Sequence, residues 1–184
     1  MAHKLVRYFI FFVCSLLVLF LLTTLILPST GRVVKETYIP VHRKVILNQL
    51  TSLQDYASWY PWIQIDPTAE ITLLRDKQGL SWKSKNTKGG RGMYELTGSG
   101  GDSVLNFRLV YNTLPSITGA YILRSSEDGK GTTLVWYMNM KAGWTPWWRF
   151  YAAMMNKIAG PVMEAGLTNI KILSEKADTG SANP

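Results

Sequence analysis

A chain of 184 residues that is 47% hydrophobic and 17% charged is long enough for one domain with a real core. Its single cysteine, Cys14, excludes an intrachain disulfide and a cysteine-based metal centre. The formal net charge of +8 suits anionic lipid and does not single out nucleic acid, so no nucleic-acid partner is expected.

The first element reads as a membrane anchor. Tyr8 to Leu27 carries no charge and is dominated by Leu, Ile, Val and Phe. At about 1.5 Å per residue such a helix is about 30 Å long, which matches the hydrocarbon core of a bilayer. Ser15, Thr23 and Thr24 can return their hydroxyls to helix carbonyls, and Pro28 and Gly31 end the run. The run exceeds the apolar stretch of a cleaved secretory signal, and Ser29-Thr30-Gly31 is a poor cleavage site. Cys14 lies too early for a lipoprotein signal. Leu27-Pro28-Ser29-Thr30-Gly31 spells a sortase-like motif with its apolar segment on the wrong side. The expected organisation is a tail and transmembrane anchor over 1–31 with its span at 8–27, a domain over 32–176, and a disordered tail over 177–184.

Lys4 and Arg7 precede the span, and Arg32, Lys35, Arg43 and Lys44 follow it. A plain count slightly favours a cytoplasmic domain. Arg43 and Lys44 fall inside the folded part, however, and a short basic N-terminus resembles a signal-anchor that stays inside and sends the rest out. The domain is therefore expected outside the cytoplasm.

After the anchor, Arg32–Ile39 is rich in β-branched residues and stops at Pro40, as a strand does. Val45, Ile46 and Leu50 give Val41–Leu50 helical spacing. Leu53 to Trp62 is a second short helix or turn loaded with aromatics. Six strand-like runs follow: Ala69–Leu74, Leu80–Ser84, Gly92–Thr97, Ser103–Tyr111, Ser116–Ser125 and Thr132–Met140. Gly-rich or Asp-Gly turns join them, which predicts a meandering antiparallel sheet. Leu105, Phe107 and Leu109 alternate with Asn106 and Arg108, and Leu134, Trp136, Met138 and Met140 alternate with Thr133 and Asn139. One apolar face and one mixed face predicts a sheet that packs something on its inner side.

That partner is the last element. From Thr145 to Glu175, apolar residues recur at Trp147, Tyr151, Met154/Met155, Ile158, Val162, Ala165, Asn169/Ile170 and Leu173, close to a helical period. Gly160-Pro161 is expected to kink this helix or divide it in two.

The order strand, two short helices, six strands, long C-terminal helix is that of the helix-grip fold. The motifs Tyr56-Ala57-Ser58-Trp59-Tyr60-Pro61-Trp62, Leu80-Ser81-Trp82 and Gly90-Arg91-Gly92-Met93 resemble the START-related polyketide cyclase/dehydrase and lipid-transport superfamily, which includes the birch-pollen allergen. Gly131-Thr132-Thr133-Leu134-Val135-Trp136 and Glu164 to Lys171 extend the resemblance over nearly the whole soluble part. It implies an α+β domain in which a curved antiparallel sheet of about seven strands wraps a long C-terminal helix. Members of that group bind hydrophobic ligands between sheet and helix, and some do chemistry.

The candidate ligand site is Trp82, Phe107, Trp136 and Met138 on inward strand faces, with Tyr151, Met154 and Met155 on the helix. The same residues also suit a filled core. Trp136 is expected against Tyr151 to Ile158. Trp144 to Arg149 reads either as an interfacial patch, with Trp at the headgroups, or as a packed helix start with Pro146 near its first turn. Lys83, Lys85, Lys88 and Arg91 form a solvated hairpin or a contact for anionic lipid. Gly89-Gly90-Arg91-Gly92 lacks the Lys-Ser/Thr of a phosphate-binding loop.

Catalytic groups are scarce. His42 stands at a helix start and is expected to be exposed, and no metal site or cofactor is expected. Glu95 or Tyr94 would be the proton-transfer group of a cyclase or dehydratase using the same cavity. The leading expectation is a membrane-anchored, non-catalytic binding protein for a hydrophobic small molecule or lipid. A ligand-free interaction module of an envelope complex is the third reading.

Overall fold

A computed structural model describes residues 2–61, 66, 68–74, 78–85, 90–112 and 114–181. Trp62, Lys88 and the expected turn residues Asp76, Lys77 and 86–89 lie outside the described residues. In chain order the elements are α1 (Ala2–Ile26), β1 (Thr30–Ile39), α2 (Arg43–Thr51) and α3 (Tyr56–Trp59). They continue as β2 (Glu70–Leu73), β3 (Gly79–Lys83), β4 (Arg91–Ser99), β5 (Val104–Tyr111), β6 (Ile117–Ser125), β7 (Thr132–Lys141) and α4 (Pro146–Ser181).

The seven strands form one antiparallel sheet in the order β1-β7-β6-β5-β4-β3-β2. From β2 to β7 each strand pairs with its chain neighbour, as short Gly-rich turns require. β1 closes the far side by pairing along its whole length with β7, from Thr30 opposite Lys141 to Ile39 opposite Thr132. The expected alternation holds. Leu134, Trp136, Met138 and Met140 are fully buried, as are Leu105, Phe107 and Leu109, while Asn106 and Arg108 face water.

α2 starts at His42, which is exposed and whose Nδ1 accepts the Lys44 amide at 3.3 Å as an N-cap. Ile46 and Leu50 form its buried stripe.

α4 lies across the inner face of the curved sheet, but rotated from the expected stripe. Its buried line is Ala152, Met155, Ala159, Met163, Leu167 and Ile170, about one residue away from the series built on Trp147, Met154 and Ala165. Small residues explain the rotation. A Cβ on Gly31 would lie 2.9 Å from the backbone of Ala152, so helix and strand touch almost main chain to main chain there. At Gly166 an added Cβ would lie 2.7 Å from the Trp136 ring. Close approach needs Gly and Ala at the contact points, and Trp147 and Met154 turn outward.

α4 also runs unbroken through Pro161, contrary to a division at Gly160-Pro161. Pro161 is exposed, so the carbonyl that loses its helical donor can face water. The helix continues past Glu175 to Ser181, so helical structure extends into the expected tail, whose residues 182–184 lie outside the described residues.

Candidate functional site

Between the sheet and α4 lies a cluster of aromatic rings contributed by five elements. Tyr56 of α3 lies tilted against Tyr94 of β4 at 4.3 Å between ring centres, and Tyr94 lies 5.5 Å from Phe107 of β5. Phe107 stacks on Tyr121 of β6 at 4.9 Å, and Tyr121 lies 5.3 Å from Trp136 of β7. Trp59, at 6.0 Å from Trp136 and 4.8 Å from Tyr56, closes the circuit. The Asn169 amide of α4 ties α3 to the long helix by donating to the Trp59 carbonyl at 3.2 Å.

Of the expected site residues, Trp82, Phe107, Trp136, Met138 and Met155 are buried on the inner side. Trp82 stands edge-on to Tyr111 at 5.3 Å, toward the β2–β3 side of the sheet. Tyr151 is half-buried near the start of α4. Met154 is 47% exposed and leaves the set, because the rotation of α4 puts Met155 inward in its place. Trp136 meets α4 at Gly166, beyond the Tyr151–Ile158 stretch expected to cover it; Ala152 and Met155 of that stretch pack on Gly31.

Tyr56, Trp59 and Tyr121 were missing from the candidate site. Tyr121 was within reach of the alternation argument, since it shares its face with Ile117 and Leu123. For α3 the signal was aromatic density alone, because four residues are too few to carry a period.

The interior has polar handles. The hydroxyls of Tyr56, Tyr94 and Tyr121 and the indole N–H groups of Trp59 and Trp136 are buried without a hydrogen-bond partner among the described residues. Such atoms cost about 1–3 kcal/mol each when left unmatched. Burial pushes the pKa of Tyr56, Tyr60, Tyr94, Tyr111 and Tyr121 well up from the usual tyrosine value, because the phenolate loses its hydration. Tyr94 and Tyr121 are near enough to influence each other's titration, although their hydroxyls do not meet hydrogen-bond geometry. All five hydroxyls stay protonated at neutral pH and keep an O–H to donate.

Glu95 faces the outer side of the sheet, where its carboxylate lies 4.0 Å from Arg108, so it cannot deliver a proton to the aromatic interior. Asp66 is buried but engaged: its carboxylate accepts the Thr68 amide at 3.0 Å, the Thr68 hydroxyl at 2.6 Å and the Ser84 hydroxyl. It fastens the segment before β2 to the end of β3. No group of three or more metal-ligating side chains occurs among the described residues. Shallow dips around Arg108, one of about 530 Å³ lined by Arg108, Val110, Ser116, Thr118, Asn139 and Lys141, lie on the outer face of the sheet.

A second constellation joins α1 to the domain. The Arg149 guanidinium donates to the carbonyls of Thr24 at 2.8 Å, Leu27 at 3.2 Å and Leu25 at 3.5 Å, and through Nε to Gly143 at 3.0 Å. A cation on the last carbonyls of a helix opposes the negative end of its dipole. The same guanidinium lies 5.3 Å over the Trp144 ring. Phe20 of α1 stacks on Phe150 at 5.6 Å and meets Trp147 at 5.3 Å.

No family model and no curated protein matches the sequence. Solved structures match throughout the domain. An aromatase/cyclase of a Streptomyces species aligns at 14% identity over 80% of this chain and 94% of its own, with a TM-score of 0.56. A START superfamily protein from Mycobacterium smegmatis aligns at 13% identity over 79% and 98%, also at 0.56. A hypothetical protein from Helicobacter pylori aligns at 11% over 78% and 88%, at 0.56. The domain therefore has the START-like, polyketide cyclase-like helix-grip fold, an α+β architecture. It is preceded by one helix long and apolar enough to cross a membrane.

Proposed function

We propose that this protein is a membrane-anchored binding protein for a hydrophobic small molecule or lipid, held between the sheet and α4. The observation that carries the reading is the aromatic interior with its unpaired donors. Rings supply apolar contact, and the hydroxyls of Tyr94 and Tyr121 offer hydrogen bonds to the few oxygen acceptors of an otherwise apolar ligand. The likeness to an aromatase/cyclase and a START superfamily protein supports the same class of ligand. α1 serves as an uncleaved anchor, and the basic N-terminus supports a domain outside the cytoplasm.

The close ring contacts also support a second reading, in which side chains fill the interior and the domain is an interaction module. Native mass spectrometry of the full chain released from lipid nanodiscs separates the two. Bound apolar molecules that are lost in Tyr121→Phe at unchanged stability support binding. An empty protein that also takes up no apolar fluorescent probe leaves the interaction module.

A further inference from the structure

Trp144, Trp147, Met154 and Phe150 are 83, 69, 47 and 36% exposed, an unusual amount of aromatic surface beside a helix start. Trp147, Phe150 and Met154 follow helical spacing and form one outward stripe. From Ala142 to Asn156 the sequence has no acid, and its single charge, Arg149, is turned away onto the carbonyls of α1 and only 9% exposed. Exposed Lys141 and Lys157 bracket the segment.

The stripe is continuous with the apolar surface of α1. Phe20, which touches both Trp147 and Phe150, lies six residues before Ile26, roughly 9 Å from the end of α1 at 1.5 Å per residue. A ring packed there shares the depth of an anchor position well inside the span.

We propose that the first turns of α4, together with Trp144, are immersed in the same bilayer leaflet as the C-terminal end of α1, with lipid as the occupant of the exposed stripe. Trp suits the headgroup boundary, Phe150 and Met154 suit the acyl chains beneath it, and the flanking lysines meet lipid phosphates. Arg149 makes this possible by supplying donors to carbonyls at the end of α1 that water would otherwise have to solvate. The inference rests on the anchor reading proposed above.

The test uses the full chain with Cys14→Ser, spin-labelled at single cysteines and reconstituted in phosphatidylcholine/phosphatidylglycerol vesicles. Labels replace Trp144, Trp147 or Met154, with Leu17 as the reference for the span and Ile172, 57% exposed on the far part of α4, as the aqueous reference. Collisions with oxygen and with a water-soluble nickel chelate are measured. Expected is an oxygen-to-nickel ratio at all three sites several-fold above that at Ile172 and approaching that at Leu17. Labels at the three sites that match Ile172, while Leu17 is in lipid, overturn the immersion and leave the anchor standing. Labels shielded from both reagents show a protein partner on the stripe and equally overturn it. A Leu17 label in water removes the anchor and the inference together. Met154→Cys keeps the test valid if Trp147→Cys disturbs the Phe20 contact.

Discussion

The two halves of α4 solve the same inward problem and differ outward. In the first half Ala152 and Met155 bring the helix onto Gly31, and in the second Gly166 lets Trp136 lie against the helix axis. Outward, the first half shows Trp147, Phe150 and Met154, whereas the second shows mainly polar residues, Glu164, Thr168, Lys171 and Glu175, with Ile172 as a lone exposed apolar side chain. The sheet dictates the inward faces. On the first half, Phe20 of α1 accounts for part of the apolar outward face, while Trp147 and Met154 remain 69 and 47% exposed. The contrast teaches that a long amphipathic helix can carry two apolar stripes with separate causes.

Alkaline pH should give the largest effect. Unfolded tyrosines ionise near pH 10, while burial keeps Tyr56, Tyr94 and Tyr121 protonated above it. Stability is thus fully present below pH 10. As pH rises further it is lost by about 1.4 kcal/mol per unit for each tyrosine held neutral. Tyr151 on the first half is only half-buried and less raised, so its tyrosinate should form before those of the interior set. The interior set should follow only with cooperative loss of near-UV circular dichroism. Smooth titration of every tyrosine in an intact fold would end the claim of a dry interior.

Trp136→Ala, on β7 against the inward face of the second half, should cost about 3 to 5 kcal/mol in denaturant unfolding in micelles, as for a large buried ring. A loss below about 1 kcal/mol would mean that Trp136 borders empty space instead of packed rings. Arg149→Met should cost about 2 to 3 kcal/mol, since several charge-assisted hydrogen bonds disappear together. An unchanged unfolding midpoint would show that α1 and the domain are energetically separate. Trp147→Ala, outward on the first half, should cost at most about 1.5 kcal/mol, the scale of one ring contact. A cost as large as that of Trp136→Ala would erase the distinction between the two faces.

Much of this fold was legible from local chemistry. β7 reads directly from Leu134, Trp136, Met138 and Met140, and every expected strand is present with ends shifted by at most two residues. The orientation of α4 was misjudged because hydrophobicity weights Trp147 and Met154 above Ala152 and Gly166. Close packing against a sheet selects for size, which a hydropathy pattern does not register. The Arg149 contacts were out of reach for another reason: the carbonyl of Thr24 lies 125 positions away, and backbone acceptors leave no trace in side-chain pattern. Sequence alone leaves the facing of Glu95 open between Tyr94 and Leu96; it turns outward because the ring contacts of Tyr94 with Tyr56 and Phe107 fix the parity of β4.

The junction between α1 and β1 has a kinetic consequence. Only residues 27–29 separate the two elements; Ser29 accepts the Ala142 amide at 2.8 Å, and Leu27 accepts from Arg149. A flexible tether of n residues lets a domain roam by roughly 5–6 Å × √n, but a junction pinned at both ends allows no such search. Held this way on a bilayer, the domain would move by lateral diffusion with a fixed tilt. Encounters with a lipid-dissolved ligand would scale with its density per unit area of membrane. Inserting a long Gly/Ser segment after Leu27 would therefore slow capture from vesicles while leaving the affinity of the detergent-solubilised protein unchanged.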